Sequence, residues 1–164
     1  MKTIAIMVST PTGGIGINDR LPWFQLGVHI ENFEELSKGH VVLVGGGAFR
    51  NHTYLRGDVT YVYSNDESFQ ETDELKRVAG DPQSIIDNIK ADNPDKNIII
   101  AGGLTVYQNF YDLIDEWRVT IIEESVVFNQ DINLTDIQHK WNNRRLVSTG
   151  QDLNQTFSTF HYTK

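Results

Sequence analysis

The chain has 164 residues, of which 39% are hydrophobic and 22% are charged, and its formal net charge is -8 from 14 basic and 22 acidic residues. A chain of this length buries roughly 70% of the surface that its unfolded form exposes, so a single domain over residues 1–164 is expected. The sequence contains no cysteine, which excludes disulfides, thiolate metal sites and a cysteine nucleophile. The acidic balance argues against binding nucleic acid or an anionic membrane by bulk charge.

The N-terminal region carries only a short apolar run, from Ile4 to Val8. This run is too short for a transmembrane helix and lacks the pattern of a signal peptide. We therefore expect a cytoplasmic protein with no membrane partner.

Short apolar runs rich in β-branched residues predict six strands. Three of the runs are apolar on both faces of the pleat, at Val41–Val44, Ile98–Ala101 and Val119–Ile122. This pattern is typical of central strands with helices on both sides. The predicted strands are Thr3–Val8, His40–Val44, Val59–Tyr63, Asn97–Ala101, Trp117–Ile122 and Phe157–Tyr162, with a further short one at Leu75–Val78.

Segments with helical periodicity alternate with these strands. The predicted helices are Leu26–Ser37, Pro82–Ala91 and Thr105–Leu113, with a short one near Ala48–His52. In the first helix, Leu26, Ile30, Phe33 and Ser37 share one face, whereas Glu31, Glu34 and Glu35 face water. The order of elements predicts an α/β fold with a mostly parallel sheet and an antiparallel C-terminal edge.

Glycines follow two of the predicted strands. Gly45, Gly46 and Gly47 follow the second strand, and Gly102 and Gly103 follow the fourth. Glycine at such turns lets the backbone approach a phosphate closely, so the two clusters together predict a pyrophosphate site. The alternative is that the glycines only permit tight turns. Neither cluster matches the dinucleotide fingerprint G-x-G-x-x-G or the P-loop.

Several short motifs follow one another along the chain. The first lies in a long loop that we expect at Thr10–Phe24. The motifs are Ile15-Gly16 with Leu21-Pro22-Trp23, then Leu26-x-x-His29-x-x-x-Phe33, then Leu55-x-Gly57, and finally Ala101-Gly102-Gly103 with Val106-Tyr107 and Phe110. In this order and spacing the chain resembles the dihydrofolate reductase family from its first strand to about residue 134.

The resemblance implies an eight-stranded sheet flanked by four helices in a monomeric reductase. Such an enzyme transfers a hydride from NADPH to 7,8-dihydrofolate to give tetrahydrofolate, with NADH not excluded as the cofactor. Its partner is therefore a folate-like small molecule. The loop from Ile15 to Phe24 would close over the nicotinamide.

The resemblance also assigns site residues. The catalytic group is His29, with Trp23 holding a water and Thr120 supporting the acid position. The residues expected at the substrate are Ile4, Ala5, Ile30, Phe33, Phe49, Leu55 and Ala101. The residues expected at the cofactor are Ile6, Ile15, Gly16, Gly45, Gly46, Gly47, Ala48, Ser64, Gly102, Gly103, Leu104, Thr105, Val106 and Tyr107. The scattered histidines lack metal-ligand spacing, so no metal site is expected.

Two departures from the family concern the substrate. At the position of His29 the family has an Asp or Glu, whose carboxylate accepts two parallel hydrogen bonds from the pterin, and imidazole cannot provide that pair of acceptors. After Gly57 the family has an Arg that binds the carboxylate of the substrate's tail, whereas this chain has Asp58. Arg56 is adjacent, but neighbours on a strand point to opposite faces.

A third departure concerns the cofactor. Gly46 and Thr105 occupy positions where the family has basic residues that bind the 2′-phosphate of NADPH, and Lys76 and Arg77 are the candidate replacements. Two alternatives therefore stay open beside the reductase: the same fold reducing another pterin or heterocycle, or a binding or structural module that has lost the chemistry.

Overall fold

An eight-stranded sheet forms the centre of the protein in the computed structural model, which describes residues 1–16, 27–123, 129–152 and 155–164. Two further short strands pair in a small separate sheet. The strands are β1 (Thr3–Ser9), β2 (Gly14–Gly16), β3 (Val41–Gly45), β4 (Val59–Tyr63), β5 (Leu75–Val78), β6 (Ile98–Ile100), β7 (Glu116–Ile122), β8 (Gln130–Asp131), β9 (Asn143–Asp152) and β10 (Gln155–Thr163).

The strand order in the large sheet is β5-β4-β3-β6-β1-β7-β10-β9. All pairs from β5 to β7 are parallel, whereas β10 runs antiparallel to both β7 and β9. The mostly parallel sheet with an antiparallel C-terminal edge is therefore confirmed. Each predicted strand is present, with ends that lie within two residues of the prediction.

Five helices lie in the described part of the chain, and the first four confirm the predicted ones. They are α1 (Gly27–Ser37), α2 (Gly46–Asn51), α3 (Pro82–Asp92), α4 (Leu104–Phe110, continued by a 3-10 turn at Tyr111–Leu113) and α5 (Leu134–Lys140). None of the helices in these ranges has the length and apolar composition needed to cross a bilayer.

The three central strands are buried on both faces. Every residue of β1, β3 and β6 is buried. On one face Met7, Leu43 and Ile100 belong to a core shared with α3 and α4, and on the other Ile6 and Val44 pack with Phe33 of α1. Helices on both sides explain why these strands are apolar at successive positions.

Helix α1 turns its polar face outward and one histidine inward. His29, Phe33 and Ser37 are its buried residues, whereas Ile30 is only half-buried. The three glutamates that were predicted to face water, Glu31, Glu34 and Glu35, are exposed.

The first turn of α1 is held by a residue that is distant in sequence. The backbone N–H of Val28 donates to Oδ2 of Asp152, at the end of β9, with an N···O distance of 2.8 Å. A carboxylate at this end of a helix satisfies a backbone donor that has no partner within the helix and interacts favourably with the helix dipole.

The turn from β6 into α4 requires glycine. Gly102 has φ +93°, and its carbonyl accepts a hydrogen bond of 2.7 Å from the N–H of Gly45. A Cβ atom at Gly102 would lie 3.0 Å from the hydroxyl oxygen of Tyr107. This turn therefore brings the two glycine clusters together at the carboxyl ends of β3 and β6.

Candidate active site

A cavity opens at the carboxyl ends of β1 and β6, beneath the first turns of α1 and α4. His29 is on its α1 side, and the glycine turn after β6 is on the opposite side. Its lining residues are Met7, Val8, Ile15, Gly16, His29, Ala48, His52, Tyr54, Leu55, Ala101, Gly102, Gly103, Leu104, Tyr107 and Gln130. We call it the His29 cavity.

His29 is buried without a hydrogen-bond partner for its Nδ1 atom. Only 6% of the residue is exposed, and no described residue bonds to Nδ1. Burial lowers the pKa of His29 to about 4, and the nearby His52 contributes to the lowering. The imidazole is therefore neutral at physiological pH, with one ring nitrogen as a donor and the other as an acceptor.

Two residues of the loop after α2 that the sequence did not identify also line the cavity. His52 is 7% exposed, and its Nδ1 likewise has no partner in the described part of the chain. The ring of Tyr54 makes edge contacts with His29, His52 and Phe33 at centroid distances of 6.0, 5.9 and 5.7 Å. The polar, aromatic run His52-Thr53-Tyr54 immediately after a short helix is the signal that could have indicated them.

No carboxylate, lysine or arginine occurs among the described residues that line the His29 cavity. Its titratable groups are His29, His52, Tyr54 and Tyr107. Burial raises the pKa of Tyr54 to about 12 and that of Tyr107 above its usual range. Burial also lowers the pKa of His52. Burial therefore favours the neutral form of all four groups.

Tyr107 links α4 to the central strand of the sheet. Its hydroxyl donates to the backbone oxygen of Ile6 at 2.6 Å. This bond satisfies a carbonyl of β1 beside the cavity and holds the α4 side of the site in place.

A more open cleft of about 320 Å³ adjoins the cavity on the side of the glycine turns. It is lined by Gly45, Gly46, Gly47, Ala48, Arg50, Tyr63, Ser64, Asn65, Gly103, Leu104, Thr105 and Val106. Ala48, Gly103 and Leu104 belong to both walls, so the cleft and the cavity are contiguous. The two glycine clusters therefore meet in one site, as their positions after parallel strands predicted.

Arg50 lines this cleft from a position other than 46 and 105, and Arg77 lies near its edge through Ser64. A Cβ atom at Gly46 would lie 3.3 Å from Nη1 of Arg50, so the Arg50 guanidinium occupies space that a side chain at position 46 would need. Arg77 donates from Nη1 to the backbone oxygen of Ser64 at 3.1 Å. Lys76, the other candidate, lies over the ring of Tyr61, 5.8 Å from its centroid.

A family model described as dihydrofolate reductase matches residues 2–164. The chain belongs to the dihydrofolate reductase family. It is 26% identical to the dihydrofolate reductase of Lactococcus lactis over 123 residues, which cover 74% of this chain and 71% of the relative. It is 27% identical to the enzyme of that name from Mycoplasma genitalium over 124 residues, 74% of this chain and 76% of the relative.

A solved structure shows the same fold. Dihydrofolate reductase from Enterococcus faecalis, complexed with NADP(H) and RAB-propyl, superposes with a TM-score of 0.74 at 19% identity, covering 99% of this chain and 95% of that one. The expected family and fold are thus confirmed, and the protein is an oxidoreductase of the dihydrofolate reductase type.

Most of the residues that the family resemblance assigns to the cofactor meet at the cavity and the cleft. Ile6 lies beside them through its bond to Tyr107. Of the residues assigned to the substrate, Leu55 and Ala101 line the His29 cavity, whereas Ile4, Ala5, Ile30, Phe33 and Phe49 are not in its wall. Met7 and Val8 provide the β1 side of the wall instead.

The three catalytic assignments, His29, Trp23 and Thr120, remain predictions. Trp23 and the loop segment 17–24 lie outside the described residues. Thr120 is buried, and its hydroxyl bonds to that of Thr159 at 3.0 Å. Thr120 lines a separate cavity under α1 rather than the His29 cavity.

The position that binds the substrate's tail in the family is anionic and engaged elsewhere. Asp58 accepts from Nζ of Lys96 at 2.6 Å, and this hydrogen bond lowers the pKa of Asp58. Arg56 is exposed, with its guanidinium stacked 3.8 Å from the centroid of Phe49. Neither residue places a cation in the His29 cavity.

Proposed function

We propose that the protein reduces 7,8-dihydrofolate to tetrahydrofolate with a hydride from NADPH, in the His29 cavity. The observation that carries this proposal is the shared wall of cavity and cleft at Ala48, Gly103 and Leu104. A dinucleotide that lies along this wall has its pyrophosphate at the glycine turns and its reactive ring at the cavity. The relative from Enterococcus faecalis is complexed with NADP(H), which supports the same cofactor here.

The cleft fits the cofactor's phosphates. A side chain at Gly45 would meet Cγ2 of Val106 at 3.0 Å and the backbone nitrogen of Gly103 at 3.4 Å, so the absence of one keeps the backbone accessible. Arg50 and Arg77 are the cations available for a 2′-phosphate, which favours NADPH over NADH. When bound, the cofactor supplies the hydride.

The His29 cavity suits a flat heterocycle with a polar edge. Met7, Val8, Leu55 and Ala101 give it apolar walls, and His29 gives a buried donor and acceptor.

His29 is the residue to which we assign the transfer of the proton. Reduction of a ring C=N bond adds a hydride to the carbon and a proton to the nitrogen, so charge and atoms balance when the protein passes on one proton from water. Among the described residues to which the resemblance assigns a catalytic role, His29 lines the cavity and Thr120 does not, and an imidazole N–H is a competent general acid.

A second candidate function follows from the tail site. Because Asp58 is anionic and paired with Lys96, the residue at this position offers no cation to a glutamate tail. The same chemistry on a pterin or other heterocycle that lacks the tail is the alternative. Comparison of kcat/KM for 7,8-dihydrofolate and a tail-free dihydropterin distinguishes the two, because equal values favour the alternative.

The direct test is NADPH oxidation with 7,8-dihydrofolate between pH 5 and 8. We expect wild-type turnover, and for His29→Ala a loss of about 100-fold or more if the imidazole acts as a general acid. His29→Asp restores the family's acceptor pair, so we expect it to exceed His29→Ala. The exposed His139 on α5 provides the matched control, and His139→Ala should retain wild-type activity.

Negative outcomes of this test differ from one another. No turnover at any pH, together with NADPH binding in a fluorescence titration, would exclude dihydrofolate and favour another heterocycle. No binding of NADPH or NADH at micromolar concentration would contradict the reductase and favour the non-catalytic module.

A further inference from the structure

His52 uses its backbone, but not its side chain, to build the fold. It follows the last residue of α2, and its N–H donates to the backbone oxygen of Ala48 at 2.9 Å. Any residue type except proline makes this bond. Only 7% of the residue is nonetheless exposed, and it lines the His29 cavity.

The burial of two unsatisfied imidazoles in one cavity is costly. A buried polar atom without a hydrogen bond destabilises the folded protein, and the Nδ1 atoms of His29 and His52 both lack a described partner. Leucine or phenylalanine would fill the same space without that cost. A bound ring or water that hydrogen-bonds to the imidazoles removes it, which points to a role for His52 in the occupied site.

The two imidazoles flank the same ring and influence each other. Tyr54 contacts both edge-on, at 6.0 Å from His29 and 5.9 Å from His52. The titratable groups facing them are Tyr54 from the loop that carries His52 and Tyr107 from α4, while the described residues of β1, β2 and β8 in the wall carry no titratable side chain. Because none of the described wall residues is a carboxylate that could balance two charges, the pair holds at most one proton readily.

We infer that His52 and His29 form one acid–base unit in which His52 takes up the proton and His29 faces the substrate. This inference rests on the proposed reductase function. The lowering of pKa is larger for His29, so His52 is the member that stays protonated to higher pH. One proton moves from water to His52 and through the pair to the ring nitrogen, while the carbon receives the hydride, and the pair ends neutral.

The test combines single-turnover hydride transfer with a titration of the apo protein. The variants are His52→Gln and His29→Gln, with His139→Gln as the exposed control. Transfer is followed from pH 5 to 9 with NADPH and 7,8-dihydrofolate, and histidine resonances are titrated by NMR without ligand. Because the acid must be protonated, the wild-type rate should fall as pH rises.

We expect His52→Gln to slow transfer at pH 7 by about tenfold or more and to move the midpoint of the rate profile to lower pH. In the apo protein, the same change should raise the pKa of His29, since it removes a neighbouring positive charge. His139→Gln should change neither measurement.

The outcomes separate this inference from the proposed function. An active wild type with an unchanged rate profile in His52→Gln overturns the inference alone, as does a uniform loss of rate with the midpoint and the pKa of His29 unchanged. An inactive wild type overturns the reductase. The NMR titration then decides the coupling, because an unchanged pKa of His29 in His52→Gln overturns the pair.

Discussion

The most consequential single residue is His29, because its burial links the site to stability. The imidazole is buried beside His52 and has no described acidic partner. Burial favours the neutral form, so the folded protein resists protonation at this position more than the unfolded chain does. Protonation of His29 at low pH therefore lowers the stability of the fold.

The free energy of unfolding should depend on pH through His29. The pKa of His29 is about 6.5 in the unfolded chain, and burial lowers it to about 4 in the folded protein. Between these values the unfolded state binds more protons, so stability is lost as pH falls through this window, by up to about 3 kcal/mol. Urea unfolding of wild type and His29→Gln at pH 7, 5.5 and 4 measures this loss. If the free energy of unfolding falls equally with pH in both proteins, the prediction is contradicted.

Arg50 and Arg77 should determine the choice of cofactor. Removal of one cation from a phosphate contact costs about 1.5–3 kcal/mol, so Arg50→Gln should raise KM for NADPH about tenfold or more and leave KM for NADH unchanged. Steady-state kinetics with both cofactors checks this. Lys76→Gln is the matched control, because Lys76 lies over Tyr61. A similar loss with both cofactors would show that Arg50 acts only through the fold.

For single residues, the sequence predicted a site residue within a motif better than it predicted the residues that pack around it. His29 was identified because it replaces an acid in a motif. His52, Tyr54 and Arg50 were missed because their roles depend on a loop that packs back over α1 and on the space left free at Gly46. Such contacts depend on side-chain packing, which periodicity does not encode.

At the scale of elements, the turn between β6 and α4 controls both halves of the site. Gly102 lies in the cavity wall, bonds to Gly45 and faces Tyr107, whereas Gly103 has a negative φ and nothing near its missing Cβ. Two adjacent glycines thus differ sharply in their tolerance of a side chain.

We expect Gly102→Ala to destabilise the protein by about 1–3 kcal/mol, because alanine is strained at positive φ and its Cβ would press on the hydroxyl of Tyr107. Gly103→Ala should cost far less. Thermal unfolding and NADPH titration of both variants provide the measurement. Equal stability of the two variants would rule out a special role for the Gly102 conformation.

The elements that sequence patterns missed are those that depend on their neighbours. Strand β9 is mostly exposed and polar, and it is a strand because it pairs along β10. Helix α5 has only seven residues, held by the Asn133 cap and by the buried Leu134 and Ile137. The central strands, by contrast, were predictable because burial on both faces requires an uninterrupted apolar run.

Over the whole molecule, the topology brings distant glycine turns together. Parallel β3 and β6 are neighbours, so the turns that follow them open at the same edge of the sheet, and this much was predictable from sequence. The charge distribution was not. The net charge of -8 suggests a site poor in cations, yet Arg50 and Arg77 both reach the region of Ser64.

The hydrogen bond between Val28 and Asp152 has a consequence for how the enzyme is made. Every described residue of the His29 cavity precedes position 131, yet the first turn of the helix that carries His29 is fixed by a carboxylate near the C-terminus. A nascent chain whose last hairpin is still inside the ribosome therefore has all of those residues and no fixed start to α1. We therefore expect a chain that ends before β9 to be inactive even though it contains every described residue of the His29 cavity.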